Sequence, residues 1–439
     1  MASRTTDAEA RLQTREPTDD LWSLITGAGE LPEDAASPVF WLAFLISALA
    51  VAFKSPDALT LPQFWAEDAR EFFGDQHGRL LPLLFKPYGT YFHLVPRLVA
   101  WLASPFPAVW APTLYCSFAW LGSALGLVSL RQLRLAGVPY ALLLAGLILA
   151  PTNGEIYGTI TNAQWLMQFY FFGSLARLAR GDVARAPWLR IGIVLLNGLS
   201  GPFSIFAALA GVLLVLGSRV AARLVSGAAT IRWSGELTAM VIAASAQVLS
   251  IASSDKSNVD GAGPPTLEGA LHVLSYTELH AFGAEPVAPW LFWVLFVLLL
   301  VAPFSWLRDT GSRYVLLSAY GFAGVTEALV LRKFAGQSHH LAVFQNGDRY
   351  YLIIKTLFFW LLALAVWSVA QRRPRMQRAL VVLLILAPLP FTWPLLQRPA
   401  LPDLHWKEQA VQIDQGKRAV IGVAPPPWEL IVEARESPH

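Results

Sequence analysis

The longest polar interruption in the first third of the sequence runs from Gln63 to Arg97, QFWAEDAREFFGDQHGRLLPLLFKPYGTYFHLVPR. It holds an adjacent carboxylate pair, Glu67 and Asp68, just after two aromatic residues. Lys86, His93 and Arg97 follow, around a turn at Pro87-Tyr88-Gly89. A carboxylate can remove a proton from a reacting group. Two side by side can also hold a divalent cation through oxygen ligands. Cations nearby can stabilise a departing anion. This stretch is therefore expected to carry the catalytic groups.

The elements that position it are membrane helices. The chain has 439 residues, 55% hydrophobic and only 14% charged. A soluble protein of this size carries nearer a quarter charged residues. Several apolar runs of about 18 residues can cross a hydrocarbon core of about 30 Å. Its 17 Trp and 25 Phe often lie beside charges, as in an interfacial aromatic belt. The net charge of +3 is small, and no basic block with interleaved aromatics suggests nucleic-acid binding. The one cysteine, Cys116, excludes a disulfide framework within the chain. Residues 1–37 mix both signs and lack an apolar core, which predicts a cytoplasmic tail rather than a cleavable signal peptide.

The first span is read at Pro38 to Lys54. An outward loop of about residues 55–106 follows, with two interfacial helices. The first is expected to start at Thr60-Leu61-Pro62, with Pro62 in its first turn, and to end at Gly74 and Gly78. The second, Tyr91 to Ser104, is expected to kink at Pro96. Later spans alternate between basic and acidic loops. Ile191 to Leu216 is one long span or two short ones hinged at Ser200-Gly201-Pro202. Two short helices keep Arg219, Arg223 and Arg232 on the side of Arg177 to Arg190, as the positive-inside rule requires. Ser253 to Pro289 reads as a polar outward segment, and the last span is Leu380 to Leu396. The expectation is an all-α polytopic membrane protein with about eleven spans, N-terminus in and C-terminus out. Its membrane domain covers residues 38–397. Residues 398–439 form an outward segment, with a helix at Leu404 to Gln415 and strands at Ala419 to Val423 and Trp428 to Val432. Too small for a core of its own, it should pack on the outward loops. Glu327 is read as the only ionisable residue well inside a span, which argues against an ion-coupled carrier. The sequence has no H-E-x-x-H, P-loop or G-x-S-x-G motif.

WAEDAREFF, followed by KPYGTYFHLVPRLVAWLASPFP, resembles the first outward loop of the GT-C glycosyltransferases. A bacterial group in this class reads roughly W-x-E-D, then P-Y-x-G-Y-x-H-x-x-P-R. Here the order Pro87-Tyr88-Gly89-Thr90-Tyr91 differs slightly. TNAQW, LSGPF, DRYY and APPPW also look similar. The resemblance implies transfer of a sugar from a polyprenyl-phosphate donor to a glycan, lipid or protein acceptor. It places the enzyme in the cytoplasmic (inner) membrane, with its active site on the outer, periplasmic side. On that basis Asp68 is assigned as base, with Glu67 as helper or as ligand to a cation such as Mg or Mn. The reverse order is open, because successive helix positions point about 100° apart. Arg97, Arg349, Arg332 and Lys333 are candidate phosphate clamps. Asn162, Gln164, Trp165 and Tyr350 are candidates for the sugar, and Tyr88, Tyr91 and His93 for the cleft wall.

Each residue has a plainer reading. Acids in a first helical turn stabilise its dipole. Arg97 can snorkel to headgroups. Asp348 and Arg349 can form a local ion pair, and Asn162 and Gln164 can cap a span. His339 and His340 are adjacent, which is poor spacing for zinc. Two other functions stay open: a lipid or glycan translocase, and a non-catalytic partner in envelope-polysaccharide assembly.

Overall fold

The computed structural model describes residues 38–133, 138, 140–181, 187–225, 230–254, 264–283, 288–307, 310–344, 347–370, 379, 383 and 393–434. The expected tail 1–37 and most of the last expected span lie outside the described residues. The architecture is helical, with one small antiparallel hairpin. In chain order the helices are α1 (Pro38–Lys54), α2 (Leu94–Ala103), α3 (Ala111–Val128), α4 (Tyr140–Leu149), α5 (Ile160–Met167), α6 (Phe169–Arg180) and α7 (Pro187–Gly198). They continue as α8 (Phe203–Leu224), α9 (Gly235–Ser253), α10 (Leu267–Phe282), α11 (Pro289–Val301), α12 (Thr310–Phe334), α13 (Leu352–Ala370) and α14 (Trp406–Asp414). Strands β1 (Ala419–Gly422) and β2 (Glu429–Val432) pair antiparallel.

Among the described residues, five helices are long and apolar enough to cross a membrane: Ala108–Gln132, Phe203–Leu224, Gly235–Ser253, Thr310–Phe334 and Asp348–Ser368. Four shorter apolar helices accompany them. Close packing rests on small residues, as is usual between membrane helices. Gly122 and Gly126 lie four apart on α3 and face α5. A Cβ at Gly126 would sit 2.4 Å from the Leu166 carbonyl oxygen.

The loops sort into two groups. At one end Ala66 N–H donates to the Ala424 carbonyl (2.6 Å), Asp68 meets α5, and Arg349 meets Asn162. In the other group Arg177 pairs with Glu236 (2.6 Å), and Arg180 donates to the Gln132 carbonyl (2.7 Å).

Several expected elements are placed differently. The first loop helix does not start at Thr60–Pro62 and does not stop at Gly74, but it ends just before Gly78 (φ 77°), as expected. It is a π-helical turn over Asp68–Phe73 that runs on into Gly74–Gln76. Pro96 does not kink a helix, because α2 begins at Leu94 and leaves Pro96 in its first turn, where no N–H is needed. The segment Ser253 to Pro289 contains α10, capped by the Thr266 hydroxyl, which accepts from Gly269 N–H at 2.9 Å. Ile191 to Leu216 breaks into α7 and α8 at Leu199–Pro202. The freed backbone is satisfied by Gln247 of α9, whose Nε2 donates to the carbonyls of Gly198 (3.0 Å), Gly201 (3.1 Å) and Phe92 (3.2 Å). Such a break is stable only where protein supplies partners.

The tail packs on the first loop, as expected. Trp406 stands between Phe64 (ring centroids 4.7 Å) and Phe73 (5.5 Å), and its Nε1–H donates to the Ala108 carbonyl at 3.0 Å. Trp428 lies 5.6 Å from the Arg70 guanidinium. Trp406→Ala will empty the space between these two rings. It should cost about 3 kcal/mol, read as a lower thermal unfolding temperature in detergent.

Candidate active site

The first loop, α5, the α7–α8 break, the end of α12 and the Asp348–Tyr351 turn enclose a cavity of about 360 Å³. One wall is Glu67, Tyr88, Tyr91 and His93. A second is Asn162, Gln164 and Trp165 of α5. Lys333, Arg349 and Tyr350 form a third. The remaining side is apolar, with Phe203 and Phe206 of α8 and Leu329 and Val330 of α12.

The two adjacent acids part company. Asp68 is 2% exposed and lines no part of the cavity. Its carboxylate accepts from Ile160 N–H (3.0 Å), Thr161 N–H (2.9 Å) and the Thr161 hydroxyl. Those are the unpaired donors at the start of α5, where Thr159 in the cap position makes no side-chain cap. Asp68 thus caps a helix far along the chain. The assignment of Asp68 as base, and as metal ligand, is corrected: donors already occupy both of its oxygens. Glu67 instead points into the cavity. Its Oε1 accepts from the Tyr88 hydroxyl at 3.4 Å, and its buried Oε2 has no hydrogen-bond partner among the described residues. Among the described residues, no group of three or more His, Cys, Asp or Glu is placed to hold a metal.

Burial pushes the Asp68 carboxyl up to about 7, although its bonds from Thr161 and Ile160 favour the charge. Asp68 therefore holds its proton more tightly folded than unfolded. Its contribution to stability is fully present below 3.8 and fades as pH rises towards 7. Asp68→Asn should remove this slope from melting curves taken between pH 4 and 8. Asn keeps one acceptor oxygen but turns an amide towards the helix donors, so it should also cost about 1–2 kcal/mol.

The aromatic wall comes from a tight turn. Gly89 (φ 57°) and Thr90 (φ 82°) both adopt positive φ, and Tyr88 and Tyr91 exchange backbone bonds across them. A β-branched residue there is strained, and strain of this kind collects at functional sites. The turn puts both tyrosine rings into the cavity. Tyr91 stacks on His93 (4.5 Å), which also faces Tyr88 (5.4 Å). Burial lowers His93 to about 3, so its ring stays neutral at physiological pH. Burial likewise pushes Tyr91 up to about 12.

Of the cations, Arg349 and Lys333 face the cavity. Arg349 Nη1 donates to Asn162 Oδ1 (3.3 Å) and Nη2 to the Tyr350 hydroxyl (3.4 Å), while Nε lies 3.9 Å from Glu155. These bonds are long, and a guanidinium has five N–H donors. Lys333 Nζ donates to the same hydroxyl at 2.9 Å.

Arg97 and Arg332 are corrected. Arg97 is 1% exposed and locked beneath the first loop. It donates to Asp75 Oδ2 (2.8 Å) and to the carbonyls of Glu71 (2.8 Å) and Lys86 (3.2 Å), over the Phe72 ring. Burial alone would raise the Asp75 carboxyl, but bonds from Lys86 and Arg97 hold it below its usual value. Arg332 is exposed and lines no cavity wall. Asp348 does not pair with Arg349. It turns inward to Lys355 (2.5 Å) and His280 (3.4 Å).

Sequence reasoning missed Phe206, Leu329 and Val330, whose apolar type looks like any lipid-facing position. It also missed buried Lys355, because the mean hydropathy of an apolar span hides a single charge. Phe203 and Pro202 were legible only through the LSGPF motif. A Cβ at Gly201 would meet Gln164 Oε1 at 2.0 Å, so this glycine lets the break close on α5.

Fold and cavity together describe a helical protein with five helices long and apolar enough to cross a membrane among the described residues, and a polar, aromatic-walled hollow where its loops meet. No family model, curated protein or solved structure matches the chain.

Proposed function

We propose that this protein is a membrane glycosyltransferase of the GT-C kind. It moves a sugar from a polyprenyl-phosphate donor to an acceptor at the outer face of the cytoplasmic membrane. The observation that carries the reading is the Glu67 carboxylate, with its buried, unpartnered Oε2, in a cavity that also holds Arg349 and Lys333. Glu67 takes the proton of the acceptor hydroxyl. The acceptor oxygen bonds to the anomeric carbon as the bond from that carbon to the phosphate oxygen breaks. The electron pair leaves on the phosphate, where the two cations offset its charge. Asn162, Gln164 and the rings of Tyr88, Tyr91 and Trp165 orient the sugar. The apolar side gives the lipid a contact of its own chemistry.

The outward side is inferred from charge. The loops around the cavity belong to the acid-bearing group, and basic residues mark the other end.

The test is sugar transfer from a panel of radiolabelled polyprenyl-phosphate sugars, in membranes with and without the protein. Protein-dependent label on an acceptor fraction supports the enzyme. Protein-dependent crossing of labelled lipid, with no transfer from any donor, would replace it with the translocase reading.

A further inference from the structure

Beside the cavity, loop 79–87 displays three large apolar side chains that the rest of the described protein leaves uncovered. Leu80 is 94% exposed, Leu81 80% and Phe85 61%. The loop is held from beneath. Buried Gln76 donates through Nε2 to the carbonyls of Arg79 (3.1 Å) and Leu81 (3.2 Å), and its Oε1 accepts from Leu83 N–H (3.0 Å). Trp101 Nε1–H donates to the Leu80 carbonyl (3.3 Å), and Arg97 Nε–H to the Lys86 carbonyl (3.2 Å). Much of the loop's backbone is thereby satisfied within the protein, which lowers the cost of entering an apolar medium.

Charge and continuity indicate what covers the tip. Exposed Arg79 and half-exposed Lys86 bracket it. Exposed Trp101, Phe106 and Trp110 extend the apolar surface to the start of the Ala108–Gln132 helix, one of the five long enough to span. Apolar side chains flanked by cations and tryptophan match a lipid interface, where cations meet phosphate and rings sit at headgroup level.

We propose that loop 79–87 is a membrane-dipping anchor. Leu80, Leu81 and Phe85 enter the acyl region of the leaflet, and Arg79 meets anionic headgroups, while Lys86 stays paired with Asp75 (2.7 Å) at the loop's end. The loop runs directly into Tyr88 and Gly89, so the anchor fixes the height of the cavity wall against the bilayer. This holds for any reaction in the cavity.

The test uses the full chain in nanodiscs of mixed neutral and anionic lipid. A Cys116→Ser background receives Leu81→Cys, labelled with an environment-sensitive fluorophore. Glu433→Cys on the tail serves as the water reference. The expected result is blue-shifted emission at position 81, strong quenching by lipids with an acyl-chain nitroxide, and protection from iodide. Phe85→Cys gives the same readout if Leu81→Cys does not fold. Iodide quenching equal to that at position 433 would overturn the anchor. So would energy transfer between labels on neighbouring copies, which would make the patch a contact with a second chain. Neither measurement uses catalysis, so loss of the glycosyltransfer reading leaves this one standing.

Discussion

Glu67→Gln will leave expression and thermal unfolding unchanged and cut sugar transfer by about 10²- to 10⁴-fold, the range expected for a lost general base. The substitution preserves shape and keeps an oxygen for the Tyr88 hydroxyl, which now lies 3.4 Å from Oε1. It removes only the charge and the proton-accepting ability. Because Oε2 has no hydrogen-bond partner among the described residues, no bond seen in the structure is lost. Asp68→Asn gives the reverse pattern: lower stability, and transfer per folded molecule largely kept. The pair of variants separates chemistry from scaffolding at neighbouring positions. Equal activity of Glu67→Gln and wild type would remove Glu67 from the mechanism.

Arg349→Ala is the second large effect, with a loss of about 10²- to 10³-fold in transfer. A guanidinium can meet two phosphate oxygens at once, whereas an ammonium meets them as a point charge. Arg349→Lys should therefore recover part of the loss, with the defect concentrated in kcat. Arg97→Ala should behave differently. Its partner Asp75 would keep Lys86 (2.7 Å) but lose a buried cation, so the protein should melt earlier. The measurement is initial rate in detergent micelles, normalised to folded protein. If Arg97→Ala lost activity without loss of stability while Arg349→Ala kept both, the clamp would have to be reassigned.

The membrane class was written in composition and in apolar run length, because a bilayer imposes one requirement on every spanning helix. The tail hairpin was legible too, since alternation in Ala419–Val423 and a proline-rich turn are local signals. The break at Ser200-Gly201-Pro202 followed from charge placed at both ends of the segment. Which carboxylate faces the cavity was not local. Glu67 and Asp68 differ by one helical step, and both suit a first-loop acid. Only contact with α5 decided between them: the bare N–H groups of Ile160 and Thr161 claim Asp68 and leave Glu67 turned to the hollow. The same holds for the arginines. Arg97 and Arg349 look alike as residues beside an aromatic and a polar turn. Asp75 and the loop carbonyls engage one of them, while the other keeps donors free for a ligand. A side chain's partner depends on what the chain brings back from far away, and that is settled by tertiary packing.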